Sequence, residues 1–245
     1  MTAPRFFLPS PLAPALAGST VELPDAAAHH AVRVVRLAVG AALTLFDGTG
    51  GEYAATLVRA DRRGAAVRIE GFEAVERESP LAVTLAQAVA ANDAMDYAIR
   101  KTTELGVTSI QPLLTARSAP LPPGERADKR VLHWRQVAIA ACEQCGRNRV
   151  PEVLPPQRLE DWLAAWTGSG IVLAPDAQCP LAALAPTAAP VALLIGPEGG
   201  FDARELQAAR ARGFHAVRIG PRVLRTETAA AAALAVLQSM WGDGR

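Results

Sequence analysis

The sequence predicts an α/β protein in two parts, a small β-rich module followed by a larger domain in which helices alternate with strands of a mostly parallel sheet. Three observations predict it. Residues 1–72 carry short alternating runs punctuated by glycine. After Pro80 the period changes, and apolar runs of strand character alternate with helical patterns. Half of the 245 residues are hydrophobic and a fifth are charged, so a sizeable core can form.

In the first part, RFFL, STVEL, ALTLFD, EYAATLVR and AAVRIEG read as strands, and FDGTGGEY reads as the turn of a hairpin. Asp25–Arg36 (DAAAHHAVRVVR) reads as a short helix with Asp25 as its N-cap. The expected module is a β-barrel with one helix. The polar segment FEAVERESP ends it, which gives domains of 1–72 and 73–245.

In the second part, LAVTLAQAV, TSIQPLL, GIVLA, VALLIG and AVRIG read as strands. A helix over 93–105 lines Met95, Ala98, Ile99 and Leu105 along one face and stops at Gly106. A second covers 126–145, with the proline-rich loop APLPPG (119–124) before it. A third starts at Asp202, has Glu205 as its capping-box partner and stops at Gly213; the last runs from Thr226 to Met240.

Net charge is only +1, so the chain is no general polycation, but its positive charge is local. Residues 100–150 hold nine Lys/Arg against four Asp/Glu, and 201–225 hold six against two, a footprint for an anionic partner. Nearly all of it is arginine, whose planar fork suits phosphate. Three cysteines make no disulfide framework and point to a reducing compartment. MTAPRFFLPSPLAP lacks the basic start and apolar run of a signal peptide, and no apolar run is long enough to span a bilayer, so a cytoplasmic location is expected. Cys142 and Cys145 form C-x-x-C with only His133 nearby, too few ligands for zinc; no metal is expected. His29 and His30 have no catalytic partners in sight, and Trp134, Trp162 and Trp166 read as helix-face core.

Two strand ends carry candidate chemistry, because open α/β sheets bind ligands beyond the carboxyl ends of their strands. Val191–Ile195 runs into Gly196-Pro197-Glu198-Gly199-Gly200 and then a capped helix. The turn lacks the Gly-Lys-Ser/Thr of a P-loop and the G-x-G-x-x-G of a dinucleotide site. By pattern alone it is equally a ligand cradle or a simple strand–helix turn. Ala216–Gly220 leads through Pro221-Arg222-Val223-Leu224-Arg225 to a helix whose natural N-cap is Thr226. Helix N-termini attract negative charge, with Arg225 just outside and Glu227 just inside.

GPEGGF followed by GPRVLRTETA, with KTTELGV and EQCGRNRVP upstream, resembles the SPOUT methyltransferases, and more narrowly the RsmE family of 16S ribosomal RNA uracil-N3 methyltransferases. RFFLP, HHAVRVVRLAVG and FDGTGGEY resemble that family's PUA-like RNA-binding domain. The resemblance implies an S-adenosylmethionine-dependent enzyme with an N-terminal PUA-like β-barrel and a trefoil-knotted C-terminal domain. It implies a homodimer acting on 16S rRNA of the small ribosomal subunit. The cofactor is expected to lie bent between loops that fall here on Leu114–Ser118, Ile195–Gly200 and Ile219–Thr226, through Leu114, Ile195, Gly196, Gly199, Gly200, Ile219, Gly220, Leu224 and Thr226. The chain departs from the family pattern in three places. AAND at 90–93 lacks a lysine, TARS at 115–118 lacks a glutamate, and Cys145 replaces a small or polar residue.

Methylation at uracil N3 requires loss of the N3 proton and a target that is unpaired or flipped out. Arg225 is the expected stabiliser of the uracil anion, and Glu198 and Glu227 are candidates to orient the base or take its proton. Phosphate contacts are expected from Arg5, Arg33 and Arg36, the latter two sharing a helix face, and from Arg147 and Arg149. Two other readings stand beside this one: an RNA-binding ribosome assembly factor that has lost catalysis, and a doubly wound nucleotide-binding enzyme, which lacks its phosphate fingerprints.

Overall fold

The computed structural model describes residues 3–12, 17–62, 64–121, 124–187 and 190–244. The chain divides into two compact units, one of residues 1–78 with 142–150, the other of 79–141 with 151–245. Residues 122 and 123 of the proline-rich APLPPG stretch lie outside the described residues.

The first unit is a five-stranded sheet in the order β1 (Arg5–Phe7), β3 (Ala42–Phe46), β4 (Glu52–Asp61), β5 (Gly64–Glu73), β2 (Thr20–Glu22). β1 pairs parallel to β3 and the other pairings are antiparallel. Along β4 the alternation drives Tyr53, Ala55 and Leu57 inward, onto Phe6, Leu43, Leu45, Val67 and Ile69. The expected β3–β4 hairpin forms, with the Asp47 carboxylate accepting from Thr49 N, Thr49 Oγ1 and Leu12 N. Between β2 and β3, α1 (Asp25–His29) lays Ala27 and Ala28 on this core and continues as a π-helical turn, His30–Val34. Asp25 is the first helical residue; Pro24 holds the cap position, and no side chain caps it. The helix does not reach Arg36, which turns to φ 60°, so Arg33 and Arg36 do not share a helical face.

Residues 142–150 join this unit through arginines. Arg147, 4% exposed, pairs with Glu78, and Arg149 Nε donates to Glu76 at 2.8 Å. Arg5 donates to Glu52 at 2.6 Å and to Asn148 Oδ1 at 2.5 Å, with its guanidinium over the Phe46 ring. Arg77 reaches the same Glu52 oxygen at 2.8 Å. Hydrogen bonds from Arg77, then Arg5, hold the Glu52 carboxyl at about 2 against the burial that raises it.

The second unit is an all-parallel eight-stranded sheet. Its order is β11 (Cys179–Pro180), β13 (Phe214–Arg218), β10 (Ser169–Leu173), β12 (Val191–Ile195), β6 (Val83–Ala88), β7 (Ser109–Leu114), β8 (Glu152–Val153), with β9 (Gln157–Arg158) also on β7. β12 is buried at every residue, as a strand covered on both faces must be. One set of contacts joins α4 (Leu159–Ala165), α5 (Ala203–Ala211) and the strands through Trp162, Leu163, Ala209 and Phe214. The other pairs α2 (Asn92–Glu104), burying Met95, Ala98 and Ile99, with α6 (Thr226–Trp241), burying Ala230, Ala233, Leu234 and Leu237. Each buried leucine contributes about 1.5–3 kcal/mol. At its far end α6 is pinned by Gln238, which donates to Leu105 O at 2.9 Å and accepts from Ser79 Oγ at 2.6 Å. α3 (Glu125–Cys145) buries Trp134, and Trp166 stacks on Trp162 just past α4. No helix among the described residues is long and apolar enough to cross a membrane.

Because the folded Glu52 carboxyl lies below its ordinary value of 4.5, its contribution to stability is full above that pH and is lost as pH falls toward about 2. Glu52→Gln is expected to flatten the pH dependence of the thermal midpoint across that window. It should cost about 1–3 kcal/mol at neutral pH, by leaving Arg5 and Arg77 short of a charged acceptor. Melting curves of both proteins from neutral to acid check it.

Candidate functional site

Four strand ends converge on one cavity of about 810 Å³ in the second unit. Its walls are the turn after β12 (Ile195–Glu198, Gly200, Phe201), the segment after β13 (Ile219, Arg222–Thr226), the loop after β10 (Leu173–Asp176) and Ala91, Asp93 and Ala94 at the start of α2. The volume is that of a drug- or cofactor-sized site.

The turn after β12 has this shape because of its glycines. A Cβ on Gly196 would lie 3.3 Å from both the Gly200 Cα and the Phe201 ring, and Gly200 has φ +67°. The Asp202 cap then starts α5 with both halves of the capping box present. Glu205 Oε2 accepts from Asp202 N at 2.9 Å, while its Oε1 accepts from Ala116 N at 2.7 Å, so one carboxylate serves two loops. Arg117 Nη1 donates to Gly199 O at 2.8 Å. Glu198 Oε1 accepts from Ala91 N at 2.8 Å, and its negative charge lies at the positive end of the α2 dipole.

The other glycine-bearing segment is anchored by Thr226. It was expected to cap α6, but the cap position belongs to Arg225, and no side chain caps that helix. The Thr226 hydroxyl instead donates to Gly196 O at 2.5 Å and accepts from Gln87 Nε2 at 2.9 Å. The strand before it also differs: β13 covers Phe214–Arg218 rather than Ala216–Gly220, which leaves Ile219 and Gly220 in the connecting segment.

Of the residues expected around a cofactor, Ile195, Gly196, Gly200, Ile219, Leu224 and Thr226 line the cavity, as do Arg225, Glu198 and Glu227. Gly199 and Gly220 lie in the same two segments but outside the lining. Leu114 ends β7, is 37% exposed and is no part of it. The third wall is Leu173–Asp176, and sheet order is the reason. β10 lies between β12 and β13, so its outgoing loop neighbours both glycine-bearing segments, whereas β7 lies beyond β6. Arg222, from the expected Ile219–Thr226 segment, also lines the cavity, and so do Asp93, Asp176 and Arg218, which lie outside the expected loops. Pro175-Asp176 after the strand GIVLA is a turn signal in itself, but nothing local shows which strands it lies beside.

The lining is mostly apolar, through Leu173, Phe201, Leu206, Val217 and Leu224, with charge at the rim. The lining also holds the carboxylates of Asp93, Asp176, Glu198 and Glu227 and the guanidiniums of Arg218, Arg222 and Arg225. Arg225 is exposed and has no ion-pair partner among the described residues. Such a cleft suits a ligand with an aromatic base, a cationic centre and a carboxylate.

The basic residues expected on RNA separate into two sets. Arg5 and Arg147 are already paired within their own unit. Arg5 is only 12% exposed at its side chain and Arg147 4% exposed as a residue; both are committed to Glu52, Asn148 and Glu78, so neither is available to phosphate. Arg33 and Arg36 are exposed, and Arg149 is half-exposed beside Glu76. Burial pushes the Cys142 thiol up to about 12, which makes it a poor nucleophile. Among the described residues no group of three or more His, Cys, Asp or Glu could hold a metal ion.

A parallel sheet with a cofactor-sized cleft at its strand ends, closed by two glycine-bearing segments, defines an α/β enzyme that takes a nucleotide-like ligand. An RNA methyltransferase domain family matches residues 77–238, and an RNA methyltransferase PUA domain family matches residues 23–70. Ribosomal RNA small subunit methyltransferase E of Buchnera aphidicola is 32% identical over 225 residues, 91% of this chain and 92% of that protein. The methyltransferase E of Mycobacterium tuberculosis is 34% identical over 86% of this chain and 84% of its own length. Among solved structures, a Neisseria gonorrhoeae methyltransferase E bound to S-adenosylmethionine shares 38% identity and a TM-score of 0.91 over the whole of both chains. A Legionella pneumophila methyltransferase with the same cofactor bound shares 37% identity and a TM-score of 0.94 over 99% of this chain and 100% of the other. The chain belongs to the ribosomal RNA small subunit methyltransferase E family, with a PUA-type domain and an RNA methyltransferase domain.

Replacing Glu205 with alanine removes two acceptors at once. The loss expected is about 1–3 kcal/mol of unfolding free energy, more than a simple cap removal gives, because Ala116 N also loses its partner. Urea denaturation of the Glu205→Ala protein measures it.

Proposed function

We propose that the chain binds S-adenosylmethionine in this cavity and methylates N3 of a uridine in 16S rRNA of the small ribosomal subunit. The observation that carries the reading is the cleft itself: two glycine-bearing segments, a mostly apolar lining and both carboxylates and guanidiniums within it, in a chain of this family. The fit is chemical. Gly196, where a Cβ would crowd Gly200 and the Phe201 ring, keeps this cavity wall tight, the apolar lining suits adenine, and the charged lining residues offer carboxylates to cationic groups and arginines to a carboxylate. When bound, S-adenosylmethionine supplies an electrophilic methyl group on a sulfonium.

The chain's own residues do the rest. Arg225, exposed at the cavity rim, donates to the uracil oxygen on which negative charge develops as the N3 proton leaves. Glu227, half-buried in the first turn of α6, takes that proton. Glu198 orients the site through its bond to Ala91 N. Asp93 and Asp176 hold the polar edges of the cofactor, and Leu173 to Asp176 take the place expected of Leu114. The PUA-type domain, read as residues 1–72 beside a methyltransferase domain of 73–245, grips RNA through Arg33 and Arg36, with Arg149 adding a phosphate contact.

The same reading makes the five-stranded sheet a barrel and the protein a cytoplasmic homodimer. It makes the C-terminal domain a trefoil knot in which α6 is threaded beneath the turn after β12. The bond from Thr226 to Gly196 supports that threading.

Tritiated S-adenosylmethionine with unmodified small subunits, and separately with naked rRNA, is expected to label one uridine at N3; label on another base or on ribose rejects the specificity. Arg225→Ala should lower methyl transfer by about 10²–10³-fold while keeping its thermal midpoint. Unchanged turnover removes Arg225 from the mechanism. Calorimetry showing no S-adenosylmethionine binding by the wild-type chain favours the assembly-factor reading.

A further inference from the structure

Gln87 is fully buried near the end of β6, level with Ile195 of β12 on one side and Pro112 of β7 on the other. Its Nε2 donates to Ala88 O at 3.0 Å and to the Thr226 hydroxyl at 2.9 Å. Thr226 in turn donates its proton to Gly196 O at 2.5 Å. The direction of this chain is forced. A backbone carbonyl only accepts, so the hydroxyl proton is spent on Gly196 and the hydroxyl oxygen must accept from Gln87. Flipping the amide would set its oxygen against the Ala88 carbonyl and an oxygen with no proton left to give.

The other end of the amide, Oε1, is buried with no hydrogen-bond partner among the described residues. A buried acceptor without a partner destabilises the fold. An apolar side chain of the same length would avoid that cost on a sheet face that also carries the buried Leu85, Leu193 and Ile195. Such a residue persists where it does something that packing alone does not ask for.

We propose that Gln87 is a positioning residue for the cofactor cleft, holding the start of α6 and the turn after β12 in register through Thr226. The inference rests on the S-adenosylmethionine reading above. Gln87 is not part of the cavity lining; it acts on the two segments that are. Gly196 and Thr226 both line the cavity, so a shift of the hydroxyl moves two walls at once. Nothing local in LAVTLAQAV distinguishes this glutamine from a polar residue at a strand end.

The test is a double-mutant cycle of Gln87→Met and Thr226→Val, read by S-adenosylmethionine calorimetry, the thermal midpoint without ligand, and the KM and kcat of methyl transfer. Gln87→Met is expected to weaken cofactor binding about five- to tenfold, the equivalent of one lost hydrogen bond. Its ligand-free midpoint should equal or exceed that of the wild type, and KM should rise more than kcat falls. The double variant should lose no more affinity than the worse single one, because both changes cut the same chain. Unchanged affinity in Gln87→Met overturns the proposal. So does affinity that falls together with the midpoint, since that is packing, and so do losses that add in the double variant. If wild-type protein itself fails to bind S-adenosylmethionine, it is the functional reading that fails, and this appears before any substitution is made.

Discussion

The hydroxyl of Thr226 has one proton, and it goes to the carbonyl of Gly196. That bond joins the first residue of α6 to the turn after β12, segments thirty residues apart in sequence, and the Gln87 amide adds the end of the β6 strand to the same point. The far end of α6 is tied in a similar way, by the Gln238 amide between Ser79 and the Leu105 carbonyl. Two buried amides thus tie both ends of an otherwise apolar helix, one at the cleft and one away from it.

Around that fixed point the cleft is held by backbone groups borrowed across loops. Glu205 closes its own helix start and also accepts from Ala116 N; Glu198 accepts from Ala91 N; Arg117 reaches Gly199 O. Ala116 and Arg117, in the loop after β7, thus brace the turn after β12 and lie outside the cavity lining. The wall comes from the loop after β10, whose strand lies between the two that carry the glycine-bearing segments. The cavity lining carries three guanidiniums, on Arg218, Arg222 and Arg225, and four carboxylates, a composition suited to a ligand that carries both signs.

Much of this was legible beforehand, and the legible parts have one property in common. Met95, Ala98 and Ile99 announced a buried helix face, Asp202 and Glu205 a capping box, and Asp47 and its glycines a hairpin, because each signal is complete within a few residues. The failures needed information from elsewhere in the chain. Thr226 has the composition of a cap, yet its hydroxyl is taken by a carbonyl thirty residues away. Arg5 and Arg147 have the composition of phosphate contacts, yet each is spent on a carboxylate of its own unit. Arg33 and Arg36 have helical spacing, yet the helix widens into a π-turn and ends before the second of them.

By itself the sequence determined the alternation of strands and helices, the two glycine-bearing turns and the family resemblance, because periodicity, turn chemistry and motif order are local or linear properties. Only the tertiary structure decided which strands lie side by side, which loop forms the third wall, which charges are already paired and which buried amide governs the register of the last helix. Those depend on contacts between residues far apart in the chain, and a polar side chain carries no local mark of the partner it will find.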